Sequence, residues 1–311
     1  MTTHPAVHAS DEWWHVPTDD TSIADWWWNE SWYFDLAATD GSFGAYVRIG
    51  RYPAQGVVWY WAAFAAPDQP TVLVREHEVR HPIANTLEIR HEGLWADHVC
   101  EEPLERWSLG LEALGVALDD PADAFTGERG IPTPLGLDLE WETAGAPYAY
   151  PGVDRYEVPC RVHGELLVGD RRIEVDDLPG ERDHSWGHRD WWSFGWWWTT
   201  WHTDLGTHHG MALDAGDIEY HAGFVTPAGG EPTVTEPGFS AHDDLDEHGL
   251  LRSSVIRLGD VEWAVTPLAH APVLLTDGEG RATRFARSLC RWRGDDGQEG
   301  VGWYERNQPL R

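Results

Sequence analysis

The chain has 311 residues, 53 acidic against 22 basic side chains, and a formal net charge of −31. That charge repels phosphate backbones and anionic lipid, so no nucleic-acid partner and no membrane-surface partner are expected. The basic residues are all Arg, which removes a Schiff-base lysine, a phosphate-loop lysine and a lysine nucleophile. A hydrophobic content of 41% is enough for a sizeable core. Cys100, Cys160 and Cys290 are too few and too widely spaced for a disulfide framework or a structural zinc site. The first residues carry no basic and apolar leader, and no apolar run approaches about 20 residues, so no membrane span is expected and a cytoplasmic location follows by default.

Residues 1–28 read as an irregular lead-in. From Glu30 the pattern is strand, turn, strand, with a turn signal at Thr39-Asp40-Gly41 and alternating segments repeating through residue 143. Residues 119–134 read as a surface loop, and 144–159, rich in Pro, Gly and Tyr, as an inter-domain linker. A second β series starts near Pro159 and ends with the segment around Gly300–Glu305. A short helix is expected only in the lead-in or over Glu101–Trp107. The expected architecture is all-β: two up-and-down antiparallel barrels, residues 1–155 and 156–311, meeting near 145–175.

Twenty-one Trp residues stand out. Each buried indole N–H needs a partner, so clustered indoles suggest an aromatic cavity or groove. Trp26, Trp27, Trp28 and Trp32 form one cluster. Trp191, Trp192, Trp196, Trp197, Trp198 and Trp201 form another.

The densest polar group, Arg182, Asp183, His184, His188, Arg189 and Asp190, adjoins that second cluster. Charges set in an aromatic wall must pair, and their proton affinities shift. His184 and His188 have zinc spacing only on a helix, which the surrounding glycines and aromatics oppose, and His202, His208 and His209 would need strands to gather them. No metal and no cofactor are expected. Ser185 lacks the flanking glycines of a nucleophile elbow. Glu30, Trp32 and Tyr33 are placed at the mouth or floor of a barrel. Glu305, in a closing Gly-rich strand, is a candidate inward-facing charge.

Three motifs in order, Glu30–Phe34, Arg182–Gly187 and Gly300–Glu305, resemble the lipocalin-like carotenoid hydratases, the hydroxyneurosporene synthase group with its bacterial relatives and, more distantly, tocopherol cyclase. The resemblance implies two packed lipocalin-like barrels and cofactor-independent hydration or cyclisation of an isoprenoid double bond. It carries the family's His-x-Trp pair onto His184 and Trp186. The later Tyr-x-Asp has only its acid here, Asp214, preceded by Ala212 and Leu213. The catalytic candidates are therefore Asp183, His184, Trp186 and Asp214. The substrate-binding candidates are Glu30, Trp32, Tyr33, Arg182, His188, Arg189, Asp190, Trp191, Trp192, Trp197 and Glu305. The expected partner is an apolar small molecule, either substrate or, in a non-catalytic binding protein, cargo.

Overall fold

The computed structural model describes residues 6–17, 24–82, 85–127, 129–216 and 220–310. Its strands fall into two antiparallel sheets. The first holds β1 (Trp28–Ala37), β2 (Gly44–Tyr52), β3 (Val57–Ala65), β4 (Thr71–Arg80), β5 (Ile89–His91), β6 (Leu94–Glu102), β7 (Arg106–Leu118), β8 (Ile131–Thr143), β9 (Tyr148–Ala149), β10 (Arg155–Val168) and β11 (Arg171–His188). The second holds β12 (Gly195–Thr203), β13 (Gly206–Asp214), β14 (His221–Thr226), β15 (Thr233–Val234), β16 (Phe239–Leu245), β17 (Leu251–Leu258), β18 (Val261–His270), β19 (Val273–Thr276), β20 (Ala282–Gly294) and β21 (Glu299–Leu310). Pairing of β4 with β7 closes the first sheet on itself. The second curls until Phe239 on β16 packs over Gly210 on β13, where a Cβ would lie 2.1 Å from the Phe239 ring. The fold is two packed lipocalin-like barrels.

Both barrels follow from period-two alternation. Along β1, Trp32, Phe34 and Leu36 point into the first barrel, while Tyr33 and Ala37 join the cluster between barrels. Every residue of β1 is therefore buried, which is why ESWYFDLA reads as a continuous apolar-rich run. Trp59, Trp61, Trp191, Trp192, Trp196, Trp198 and Trp303 fill the inter-barrel seam, and Trp201, Trp263 and Trp292 fill the second barrel. Truncating one such indole costs roughly 3–5 kcal/mol, so the seam is a permanent core and not a hinge.

The Thr39-Asp40-Gly41 turn closes the β1–β2 hairpin. Gly41 is required there twice: its φ is +79°, and a Cβ would lie 2.7 Å from Leu268 of the second barrel.

Three expectations change. Of the two places where a short helix is expected, the lead-in holds a 3-10 turn, Ala9–Glu12, whereas Glu101–Trp107 is a hairpin turn between β6 and β7, with Leu104 at φ +64°. The segment 119–134 contains a 3-10 turn, Pro121–Phe125, whose Ala122 and Phe125 are buried against Leu250 and Ala286 of the second barrel. Residues 144–159 do not connect the barrels. Tyr148 stacks on Phe224 at 3.9 Å and Ala146 N–H bonds to Gly230 O, but the chain then returns to the first sheet as β10 and β11. The sheets change over between His188 and Gly195, later than the boundary at 155/156, because β10 and β11 pair with each other and with β1. No helix among the described residues is long and apolar enough to cross a membrane.

Candidate functional site

Alternation decides where the central charged run goes. On β11, Arg182 and His184 face the first barrel, Glu181, Asp183 and Ser185 face the seam, and Trp186 near the strand's end packs against the first-barrel core and also lines the inter-barrel cavity. Asp183 and His184, paired by sequence proximity, therefore lie on opposite faces of one strand and belong to two different networks.

The first network seals one end of the first barrel. Glu30 is fully buried and its Oε1 lies 2.8 Å from His15 Nδ1 and 2.9 Å from His184 Nε2. Arg51 Nε donates to Glu30 Oε2 at 2.6 Å. Burial opposes ionisation of Glu30, but the hydrogen bonds from His15 and His184, with the charges of His184 and Arg51, hold its carboxyl down at about 2. His184 stacks on Trp32 at 4.4 Å, and Trp186 stacks on His15 at 3.7 Å. The lead-in does the plugging: Glu12 pairs with Arg182 at 2.8 Å and accepts from Trp107 Nε1 at 2.7 Å. Sequence reading passed over Glu12, His15 and Arg51, because an irregular lead-in gives no period to say where its side chains point.

The second network lies in the seam. Arg155 Nε donates to Glu157 Oε1 and its Nη2 to Asp183 Oδ2, both at 2.6 Å. Tyr150 Oη lies 3.2 Å from Glu157 Oε1 and 2.6 Å from His209 Nε2, and His209 Nδ1 lies 3.1 Å from Glu181 Oε1. Trp198 Nε1 also donates to Glu157 Oε1, at 3.1 Å. All of Glu157, Glu181 and His209 are buried. Burial pushes Glu181 up to about 8, and pushes Glu157 up to about 7 despite Arg155. Burial lowers His209 to about 4, so its ring is neutral near pH 7. Asp35 is likewise raised by burial, with Glu181 adding to it. Two carboxyls here hold or share protons at neutral pH, joined by a neutral imidazole and a phenol.

Beside this network, between the barrels, is a cavity of about 210 Å³. Its apolar wall is Phe194, Trp196, Trp198, Met211 and Leu213, and its polar wall includes Arg155, Ser185 and Arg189. A larger groove of about 1010 Å³ runs past Trp26, Trp27 and Trp59, but mostly polar and charged side chains line it, and it does not reach the buried acids. The smaller cavity has convergent polar groups and lies beside the shifted acids, without being lined by them.

The remaining candidates are dispersed. Asp214 is exposed at the end of β13 and pairs with Arg306 at 3.2 Å. Trp197 donates to Asp243 at the second barrel, with Arg306 4.0 Å from its ring. Trp191 and Trp192 are buried core of the seam. Asp190 caps its own turn by accepting from the N–H groups of Trp192 and Ser193, and His188, exposed, pairs with Asp25. Tyr33 donates to Asp35 in the seam, not at a barrel mouth. Glu305 does face inward, paired with Arg287 and accepting from Trp196 Nε1. Trp186, His188, Arg189 and Asp190 nevertheless line the cavity; His184 and Arg182 do not.

Two sets have the donor spacing to hold a cation: His15, Glu30 and His184, and Glu157, Glu181 and His209. The helix-based argument against a His184 site did not foresee either, because strand pairing gathers the ligands. In both sets a guanidinium already sits on a carboxylate, Arg51 on Glu30 and Arg155 on Glu157, and its fixed charge opposes a metal ion.

The chain belongs to the family described as a domain of unknown function (DUF7064), which matches residues 8–310. No curated protein matches the sequence. Among solved structures it is similar to kievitone hydratase from Nectria haematococca, with 11% identity, a TM-score of 0.64, and 98% of this chain and 94% of that chain covered. It is also similar to a Nitrosomonas europaea protein assigned as AttH, with 15% identity, a TM-score of 0.62, and 92% and 94% covered. CghA bound to Sch210972 is a third, with 11% identity, a TM-score of 0.56, and 90% and 88% covered. At these identities the likeness is one of fold.

Proposed function

We propose that this protein is a cofactor-independent hydratase or cyclase that acts on a carbon–carbon double bond of an apolar small molecule in the inter-barrel cavity. The observation that carries the proposal is a pair of buried acids with raised proton affinity directly behind an indole-lined cavity. Two tautomers of the chain Glu181–His209–Tyr150–Glu157 hold the same protons and differ in which carboxyl is the acid. In one, Glu181 donates to His209 Nδ1, Nε2–H donates to Tyr150, and Tyr150 donates to Glu157. In the other, each hydrogen bond is reversed and the proton resides on Glu157. In hydration the proton held on Glu157 passes by way of a water at the Arg155 wall to one alkene carbon, the π pair forms the new C–H bond, and water oxygen adds to the other carbon. The proton released from water returns to Glu157. Trp196 and Trp198 present faces that stabilise developing positive charge by about 1–2 kcal/mol each when desolvated.

Asp183, expected as the acid, takes a different role in this reading: it and Glu157 share Arg155, which forms the wall between acid and cavity. An isoprenoid substrate remains the proposed class, but about 210 Å³ suits a short unit and not a forty-carbon chain. The binding-protein reading is favoured by one fact: neither Glu157 nor Glu181 itself lines the cavity. Incubation with short-chain isoprenoid alkenes in ¹⁸O-water separates the two. Incorporation of one labelled hydroxyl, or an isomeric cyclised product, supports the enzyme. Ligand retained unchanged throughout supports the carrier.

A further inference from the structure

The polar wall of the cavity brings two guanidiniums together with His188, Asp154 and Asp190. Arg155 and Arg189 both line it. Arg155 is matched by Glu157 and Asp183. Arg189 is not: its hydrogen-bonding partner through Nη2 is the Ser185 hydroxyl at 2.9 Å, its guanidinium lies 5.2 Å from the Trp191 ring, and it has no carboxylate at ion-pair distance among the described residues. Arg48, 5% exposed, lies 4.6 Å from Trp61 and 5.3 Å from the same Trp191 ring, with the Tyr52 hydroxyl and the Asp183 charge near it and no carboxylate at ion-pair distance among the described residues. Burial, Arg155 and Arg48 together lower Arg189 to about 10. A guanidinium drawn into an apolar seam beside two others, without its own counter-ion, is a costly arrangement that an anion would relieve.

We infer that the substrate is amphipathic: an apolar body lies against Trp196, Trp198 and Phe194, and an anionic oxygen group, a carboxylate or phenolate, is held by Arg189 with Ser185 and Arg155. The inference rests on the proposed use of this cavity and names the substrate class. It also eases a conflict within the cavity, where the Arg189 guanidinium, without an ion-pair partner, would oppose positive charge developing on carbon. Once an oxyanion neutralises Arg189, that opposition falls, and the indole faces can act. The acidic surface does not prevent entry, because its repulsion is screened beyond about 8 Å at physiological salt, whereas a guanidinium–carboxylate contact in the seam acts at hydrogen-bond distance.

The test is isothermal titration with 1-naphthaleneacetate and with its neutral counterpart 1-naphthaleneethanol, against the wild-type chain and Arg189→Gln. The expected result is at least about tenfold tighter binding of the acid by wild type, with the preference lost in Arg189→Gln and affinity for the alcohol little changed. A thermal melt of the variant shows that it is folded, and the acid–alcohol contrast in wild type needs no variant. Equal affinity for the two probes, a preference that survives Arg189→Gln, or no binding of the acid at millimolar concentration would each overturn the inference. Binding is read without turnover, so an inactive protein that keeps the preference sinks the enzyme proposal alone.

Discussion

Glu157→Gln should lower turnover of a hydrated or cyclised substrate by about 10²–10⁴-fold while leaving ligand affinity within a few fold. The amide keeps the size of the side chain and can still meet Arg155, Tyr150 and Trp198, but it cannot give and retake a proton. The wild-type rate should also fall as pH rises through about 8, where Glu181 loses the proton that feeds the chain. Stability moves the same way and must be separated. Glu181 binds its proton more tightly folded than unfolded, so its contribution is complete below about 4.5 and is lost as pH rises towards 8. Glu181→Gln separates the effects: it should flatten the stability profile over that window and still lose activity. If the rate loss in Glu157→Gln merely tracks the fraction of folded protein, the acid is structural.

Glu30→Ala should have the largest effect on stability, about 3–5 kcal/mol, which for a chain of this size is a fall of roughly 10 °C in Tm. The carboxylate is buried and receives His15, His184 and Arg51, and its removal leaves the Arg51 charge without its counter-ion at the sealed end of the first barrel. Activity per folded molecule should change little, because Glu30 and His184 do not line the cavity and touch it through Trp186, on which His15 stacks. A thermal melt together with specific activity checks both halves. A variant with unchanged Tm and abolished turnover would put the chemistry at Glu30 and His184 after all.

The two effects divide along one strand, and that division shows what the sequence made legible. Alternation along ESWYFDLA and the Thr39–Gly41 turn were enough to read β1, β2 and an all-β chain. The same period places Asp183 and His184 back to back, but it could be applied only once 171–188 was known to be a single long strand. The Gly and Pro content of 144–159 suggested a linker and masked Tyr150, Arg155 and Glu157, although Arg155 and Glu157 are two apart on a strand and so share a face. Their partner His209 is 52 residues downstream of Glu157 on another sheet, and no local pattern links them. The tryptophans carried a misleading cue as well. They suggested an aromatic cavity or groove, but most are packing: indole N–H groups of Trp107, Trp196, Trp197 and Trp198 donate to carboxylates, while those of Trp32, Trp192, Trp201, Trp263 and Trp292 are buried without a partner among the described residues. The space they leave is between the barrels.

The central claim is the location of the site, and a crystal structure of the protein soaked with 1-naphthaleneacetate tests it most directly. The account predicts ring density between Phe194, Trp196 and Trp198 with the carboxylate on Arg189 and Ser185. Density inside either barrel, or in the groove beside Trp26 and Trp59 with the inter-barrel cavity empty, would contradict it.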